Sequence, residues 1–291
     1  ESPYALLGTL LKNRNITEGT IALDESAAYF LIDGVTKANP AYTFINAQPI
    51  TTGCRIQKSA NEIAIIQRAK DITMEVHRAV ARILRPGISV KEVTEFINAA
   101  HIKAGATAGS YFCIVLFSDD SQYPHGVTVA QDLKENDIVL VDTGCQLEGY
   151  LSDITRTYVY GTPTERQREI WNLEKQTQQA AFDAAQIGAT CGAVDDAARK
   201  VLAAAGLSGD YQLPGLPHRV GHGTGLDIHE HPYLVRGNTT TLQEGMVVSN
   251  EPMICIPGEF GIRHEDHFYM TPNGPKWFTT PMHSIDKPFG Y

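Results

Sequence analysis

Two strongly apolar runs in this chain each close on an acid. Ile138-Val139-Leu140-Val141 leads to Asp142, and Met246-Val247-Val248-Ser249-Asn250 leads to Glu251. A second acid follows each one after a glycine turn: Asp153 lies four residues beyond Gly149, and Glu265 four beyond Gly261. A carboxylate at the end of a buried strand sits in low dielectric and needs a partner or a metal. Gathered together, such acids repel one another strongly unless cations lie between them.

The surrounding pattern is duplicated. Ser59-x-x-Glu62 is a capping-box signature, after which Ile63, Ile66, Ala69, Val76, Val80 and Ile83 recur at helical spacing until Pro86-Gly87. A second helix is predicted from Ser89-x-x-Glu92 to Gly105. A third is predicted from Thr162-Pro163-x-Glu165, with proline at the favoured first position, to near Gly188, and a fourth from Thr190 to Gly206. Strands are expected at Cys113 to Phe117, Ile138 to Val141, Tyr150 to Tyr160, Met246 to Ser249 and Gly261 to Met270. Gly87 to Gly105 and Gly188 to Gly206 both span 18 residues, and each pair brackets a helix ending in Ala-Gly. Each half thus reads helix, helix, strand, then a strand pair carrying carboxylates. Two such halves packed together would bring the acids to a shared interface.

Residues 1 to about 50 hold short apolar runs such as Thr20-Ile21-Ala22-Leu23, too few for an independent core. They read as the tail of a small α/β domain, 1–53, ahead of a main domain, 54–291. The N-terminus, Glu1-Ser2-Pro3-Tyr4, lacks a basic-then-apolar signal region and reads as the start of a fragment or processed chain. A formal charge of −9 argues against nucleic acid as the main partner, since phosphate binding needs a basic face. Five scattered cysteines with no C-x-x-C pair fit reduced thiols and a cytoplasmic location. No apolar run approaches the ~18 residues of a membrane span, so no membrane partner is expected.

A fifth candidate ligand is His222, in Gly221-His222-Gly223-Thr224-Gly225, where flanking glycines allow close packing and leave the imidazole accessible. Taken singly, each feature has an ordinary reading: an acid at a strand end as a turn residue, a histidine as a hydrogen-bonded side chain. The glycine-rich loop lacks the Lys-Ser/Thr ending of a phosphate loop. Carboxylates with one imidazole form a mostly hard ligand set suited to Mn²⁺ and tolerant of Co²⁺ or Zn²⁺. Such a set can hold two ions ~3.5–4 Å apart with a bridging hydroxide as nucleophile.

The segments Asp142-Thr-Gly, Gly149-Tyr-Leu-Ser-Asp153-Ile-Thr-Arg-Thr157, His218-Arg-Val-Gly-His222-Gly-Thr-Gly225, His229-Glu-His-Pro232, Asn250-Glu251-Pro252 and Arg263-His-Glu265-Asp266 resemble one family's signature set. That family is the prolidase and aminopeptidase P branch of the pita-bread metallopeptidases. The likeness spans about residues 54 to 280. It implies an α+β pita-bread fold: two pseudo-symmetric halves with an antiparallel sheet covered by helices. It further implies that Asp142, Asp153, His222, Glu251 and Glu265 hold two divalent metal ions. By the same resemblance His125 contacts substrate, His229 stabilises the tetrahedral intermediate, and Glu251 also shuttles a proton. His218 and Arg263 match positions on the substrate's proline side or just behind it.

The expected activity is that of an Xaa-Pro dipeptidase (prolidase), with aminopeptidase P acting on longer peptides as the alternative. A metal-free binding scaffold or creatinase-like hydrolase would lack several of the five ligands. The resemblance also implies a homodimer. Thr224, Met253 and His264 depart from the family's usual residues without removing a ligand, and His231, His264 and His267 are further histidines that a pocket or its surroundings could use.

Overall fold

The computed structural model describes residues 2–290 and divides the chain into two compact units, Glu1–Arg55 and Ile56–Tyr291. The first unit contains α1 (Pro3–Asn13), β1 (Gly19–Leu23), α2 (Tyr29–Ala38), β2 (Tyr42–Asn46) and α3 (Gln48–Arg55), with β1 and β2 paired in parallel.

The second unit opens with α4 (Ala60–Ile83) and α5 (Val90–Ala104). Both begin on a complete capping box, Ser59 with Glu62 and Ser89 with Glu92, which satisfies backbone N–H groups that the first turn leaves free. Their apolar faces cover β3 (Ser110–Phe117) and β4 (Ile138–Leu147). Strand β4 is central, with β3 along one edge and β5 (Tyr150–Leu151) then β6 (Ile154–Val159) along the other, all antiparallel. Helices α6 (Glu165–Ala184) and α7 (Cys191–Ala204) begin the second half. They precede β7 (Gly221–Gly223), β8 (Glu230–Leu234), β9 (Val247–Asn250), β10 (Met253–Ile256), β11 (Phe260–Arg263), β12 (Asp266–Thr271) and β13 (Gly274–Trp277). The second sheet has the order β13-β12-β9-β7-β8, while β10 and β11 form a separate hairpin. This is the pita-bread arrangement, two helix pairs over antiparallel sheets. Among the described residues, no helix is long and apolar enough to cross a membrane.

The halves are joined along β6. Thr157 Oγ donates to the Arg263 carbonyl at 2.6 Å, and the Glu265 N–H donates to the Thr155 carbonyl at 3.2 Å. That seam is where the two sets of acids meet.

Several local expectations need correcting. Pro163 precedes the N-cap, which is Thr164 rather than Thr162, because the Thr164 hydroxyl and Gln167 form the capping box there. The apolar stretch Tyr150 to Tyr160 is two strands broken at Ser152-Asp153, and Gly261 to Met270 is broken at His264-Glu265. The breaks turn the acids out of the ladders. Asp142 does not end its strand but sits inside β4, opposite Ile114 and Thr155.

Helix α4 buries His77, whose Nε2 lies 3.0 Å from the Ile154 carbonyl and therefore donates to it. Burial, reinforced by the Arg156 charge, lowers its pKa to about 3. The unfolded chain takes up this proton near pH 6.5, well before the folded one does. Stability should therefore fall as pH drops from about 6.5 towards 3, by about 1.4 kcal/mol per pH unit for this group. Urea unfolding of His77→Gln at pH 7, 5 and 4 should show a shallower acid loss than the parent; equal slopes would show that His77 does not drive it.

Candidate active site

His222 is presented by close backbone packing. A Cβ at Gly221 would come within 2.0 Å of the Ser249 carbonyl oxygen, and one at Gly223 within 2.5 Å of the His231 carbonyl oxygen. The glycines on either side are thus a steric requirement. The His222 N–H donates to Ser249 Oγ at 2.8 Å, and its Nδ1 donates to the Gly223 carbonyl at 3.0 Å. This leaves the Nε2 lone pair aimed at carboxylates: Glu251 Oε1 at 3.0 Å and Asp153 Oδ2 at 3.7 Å. A lone pair facing carboxylate oxygens is stable only with a proton or a cation between them.

Asp153 stands at the break between β5 and β6, Glu265 at the break between β11 and β12, and Glu251 just past β9. Thr155 Oγ donates to Glu265 Oε2 at 2.8 Å, while His267 Nε2 lies 3.1 Å from Oε1. Ser249 Oγ donates to Glu251 Oε1 at 3.2 Å. Arg263 donates to Asp142 Oδ2 at 2.6 Å, to Thr155 Oγ at 3.1 Å and to the Pro124 carbonyl at 3.2 Å. Its guanidinium is therefore tied to the site's own groups and to the turn before His125. Ligand atoms of Asp153, Glu265 and His267 form one group within 4.8 Å, and those of His222, Glu251 and Glu265 form another. Glu265 belongs to both.

The electrostatics call for positive charge. Burial, opposed by Arg263, raises the Asp142 pKa, and burial with neighbouring carboxylates raises those of Asp153 and Glu265 well above the ordinary range. Burial pushes Glu251 the same way, but His222 and then His218 outweigh it and hold that carboxyl low. Among the described residues, Asp142 Oδ1 and Asp153 Oδ1 are buried without a hydrogen-bond partner. Orphaned carboxylate oxygens, an aimed imidazole lone pair and a shared glutamate form a donor set that fits divalent cations.

A cleft of about 230 Å³ opens over this cluster, lined by Tyr111, Phe112, Ile114, His125, Asp142, Asp153, His222, Ile228, His229, Glu251 and Arg263. Glu265 lies beneath it, and His218 is not part of its lining. The His229 ring packs edge-on against His222 with centroids 4.2 Å apart. Partial burial and the neighbouring His222 lower its pKa to about 4, so the ring is neutral at pH 7.

The sequence matches metallopeptidase family M24 over residues 64–272. The chain belongs to that family. It is a metallopeptidase of the family's prolidase-like branch. It is 37% identical over 278 residues to the putative dipeptidase YkvY of Bacillus subtilis, covering 94% of this chain and 74% of that protein. It is 34% identical over 270 residues to the Xaa-Pro dipeptidase of Pyrococcus furiosus, covering 93% and 75%. The structure of an X-Pro aminopeptidase from Thermotoga maritima superposes with a TM-score of 0.89 at 28% identity, covering 97% of this chain and 78% of that one.

Sequence reasoning left several residues of this M24 site without a role. His267 follows Glu265 by two, and period-2 alternation on one strand face was the available signal. His264, on the opposite face, packs on Trp171 at 4.5 Å between centroids, with Nε2 3.2 Å from Glu174 Oε2. Burial drives that pair towards neutrality, lowering His264 to about 3 and raising Glu174 well above its usual value. His231 packs edge-on against Tyr233 with centroids 5.0 Å apart. Buried Lys70 donates to the Asp153 carbonyl at 3.3 Å, and Lys58 pairs with Glu230, next to His229, at 2.6 Å. Neither lysine stands in a motif that marks it.

Proposed function

We propose that this metallopeptidase hydrolyses the peptide bond on the amino side of proline in dipeptides, using two divalent ions held by Asp142, Asp153, His222, Glu251 and Glu265. The observation that carries the reading is Glu265, shared by two adjacent ligand groups under a cleft rimmed by His125 and His229. When bound, the ions supply Lewis-acid polarisation of the scissile carbonyl and a water made nucleophilic at neutral pH. Mn²⁺ suits the carboxylate-rich set best, with Co²⁺ and Zn²⁺ as tolerated substitutes.

The chain's own residues supply the rest. Neutral His229 offers an N–H to the oxygen that gains charge as the carbonyl is attacked. Glu251 accepts the proton of the attacking water and returns it to the departing proline nitrogen. Its Oε2 is the oxygen suited to this, since Oε1 already faces Ser249 and His222. His125 lines the cleft and contacts the peptide, and His218, behind that lining, is assigned to the proline side by its place in the family's motif, while Arg263 fixes Asp142 and the His125 turn. Cleavage of longer peptides remains a second reading because of the structural likeness to an X-Pro aminopeptidase.

The test is product analysis from Leu-Pro and Leu-Pro-Ala, each with Mn²⁺ and with EDTA. Metal-dependent release of proline from the dipeptide alone is expected. Cutting of the tripeptide after leucine would establish the second reading, and no cutting of either peptide by metal-loaded protein would overturn both.

A further inference from the structure

Residues between α7 and β7 form neither helix nor strand, yet Leu216 and Val220 are fully buried there. Buried backbone groups outside a sheet must find other partners, and one ion pair on α7 supplies three of them. Arg199 Nη1 donates to the Leu216 carbonyl at 3.0 Å, and Nη2 to the His218 carbonyl at 2.7 Å. Asp195 Oδ1 accepts the Val220 N–H at 3.1 Å.

The pair is closed on itself as well. Arg199 Nε donates to Asp195 Oδ2 at 2.6 Å, and both side chains are at most 1% exposed. The Tyr211 ring stacks on the guanidinium, 3.5 Å from Cζ to the ring centroid, and its hydroxyl donates to Asp195 Oδ2 at 3.4 Å. Every nitrogen of the guanidinium is therefore engaged. A buried ion pair adds little net stability once desolvation is counted. Its effect here is to hold one backbone conformation over five residues that end two short of His222.

His218 lies in the middle of that clamp. Its backbone carbonyl is held by Arg199, and its ring Nδ1 donates to the Arg219 carbonyl at 2.6 Å, so backbone and ring are each held at one point. Its Nε2 is buried without a hydrogen-bond partner among the described residues, and Glu251 acts on it electrostatically. We propose that the Asp195–Arg199 pair is a positioning device that sets the His218 imidazole against the proline end of a bound peptide. This rests on the reading of His218 as a substrate contact.

The test is a double-mutant cycle on Leu-Pro hydrolysis with Mn²⁺. Arg199→Lys keeps the charge beside Asp195 but cannot reach both carbonyls at once. It should raise KM about tenfold with kcat within about threefold, the pattern left by weakening a contact made equally in ground and transition state. His218→Ala should do the same, and the double variant should be no worse than His218→Ala alone, because coupled residues are non-additive. Calorimetric Mn²⁺ affinity should stay within about twofold of wild type, since His222 keeps its own anchors. Tyr211→Leu, which removes the stacking ring and its hydroxyl bonds but leaves the ion pair and its backbone contacts in place, serves if Arg199→Lys does not fold. Its smaller KM effect should likewise vanish in the His218→Ala background. Multiplying effects, or an unchanged KM in the folded variant, would overturn the proposal while wild-type turnover leaves the prolidase reading intact. Wild-type protein inert on Leu-Pro would overturn both.

Discussion

Glu265→Gln should abolish turnover and yet leave the metal-free protein more stable than the parent at pH 7. The two effects share one cause. Glu265 is buried among carboxylates, and burial, then Glu251 and Asp142, raise its pKa well above the ordinary value. Because the folded value is raised, the folded metal-free protein holds this proton more tightly than the unfolded chain does. The cost of ionising it sets in as pH rises past the ordinary carboxylate value and grows up to the folded pKa. Glutamine keeps an acceptor for Thr155 Oγ and removes the charge. Each pKa unit of relief is worth about 1.4 kcal/mol, so thermal unfolding in EDTA should show a clear gain at pH 7 and almost none near pH 4. Activity should fall by more than the roughly 100-fold typical of losing a residue behind a ligand. A variant less stable than the parent in EDTA at pH 7 would contradict the repulsion argument, and near-normal turnover would remove Glu265 from the site.

Loading with Mn²⁺ should raise the melting temperature and release protons. The raised pKa values of Asp142, Asp153 and Glu265 mean that some of these acids keep protons in the metal-free state, which a cation must displace. Apparent affinity should therefore increase with pH through the neutral range. Free metal at 100 times its Kd stabilises a single site by about 2.7 kcal/mol. For a domain of this size that corresponds to a rise of about 5–10 °C. Calorimetric titration in buffers of different ionisation enthalpy counts the protons directly. Binding with no proton release would show that the acids are already ionised before the metal arrives, and no binding would remove the metallopeptidase chemistry from these residues.

Much of this was legible in the sequence because it is local. The capping boxes at Ser59 and Ser89 and the period of Ile66, Ala69 and Val76 fix helices by contacts within a few residues. The acids Asp142, Asp153, Glu251 and Glu265 and the Gly-His-Gly segment stood out because apolar strands rarely carry such groups without a reason. The breaks at Ser152-Asp153 and His264-Glu265 were hidden, since no Gly or Pro stands at either to mark a stop.

The sequence alone determined the paired-half architecture and singled out the acids and the histidine proposed to hold cations, since hydrophobic period, caps and motif chemistry are written in neighbouring residues. Only the tertiary structure decided what holds those residues in place. Arg263 reaches Asp142 across 121 positions, Arg156 reaches Asp266 across 110, and Arg199 grips the carbonyl of His218 from another element. The physical reason is that a buried charge is tolerable only beside its partner, and that partner is chosen by how the two halves pack.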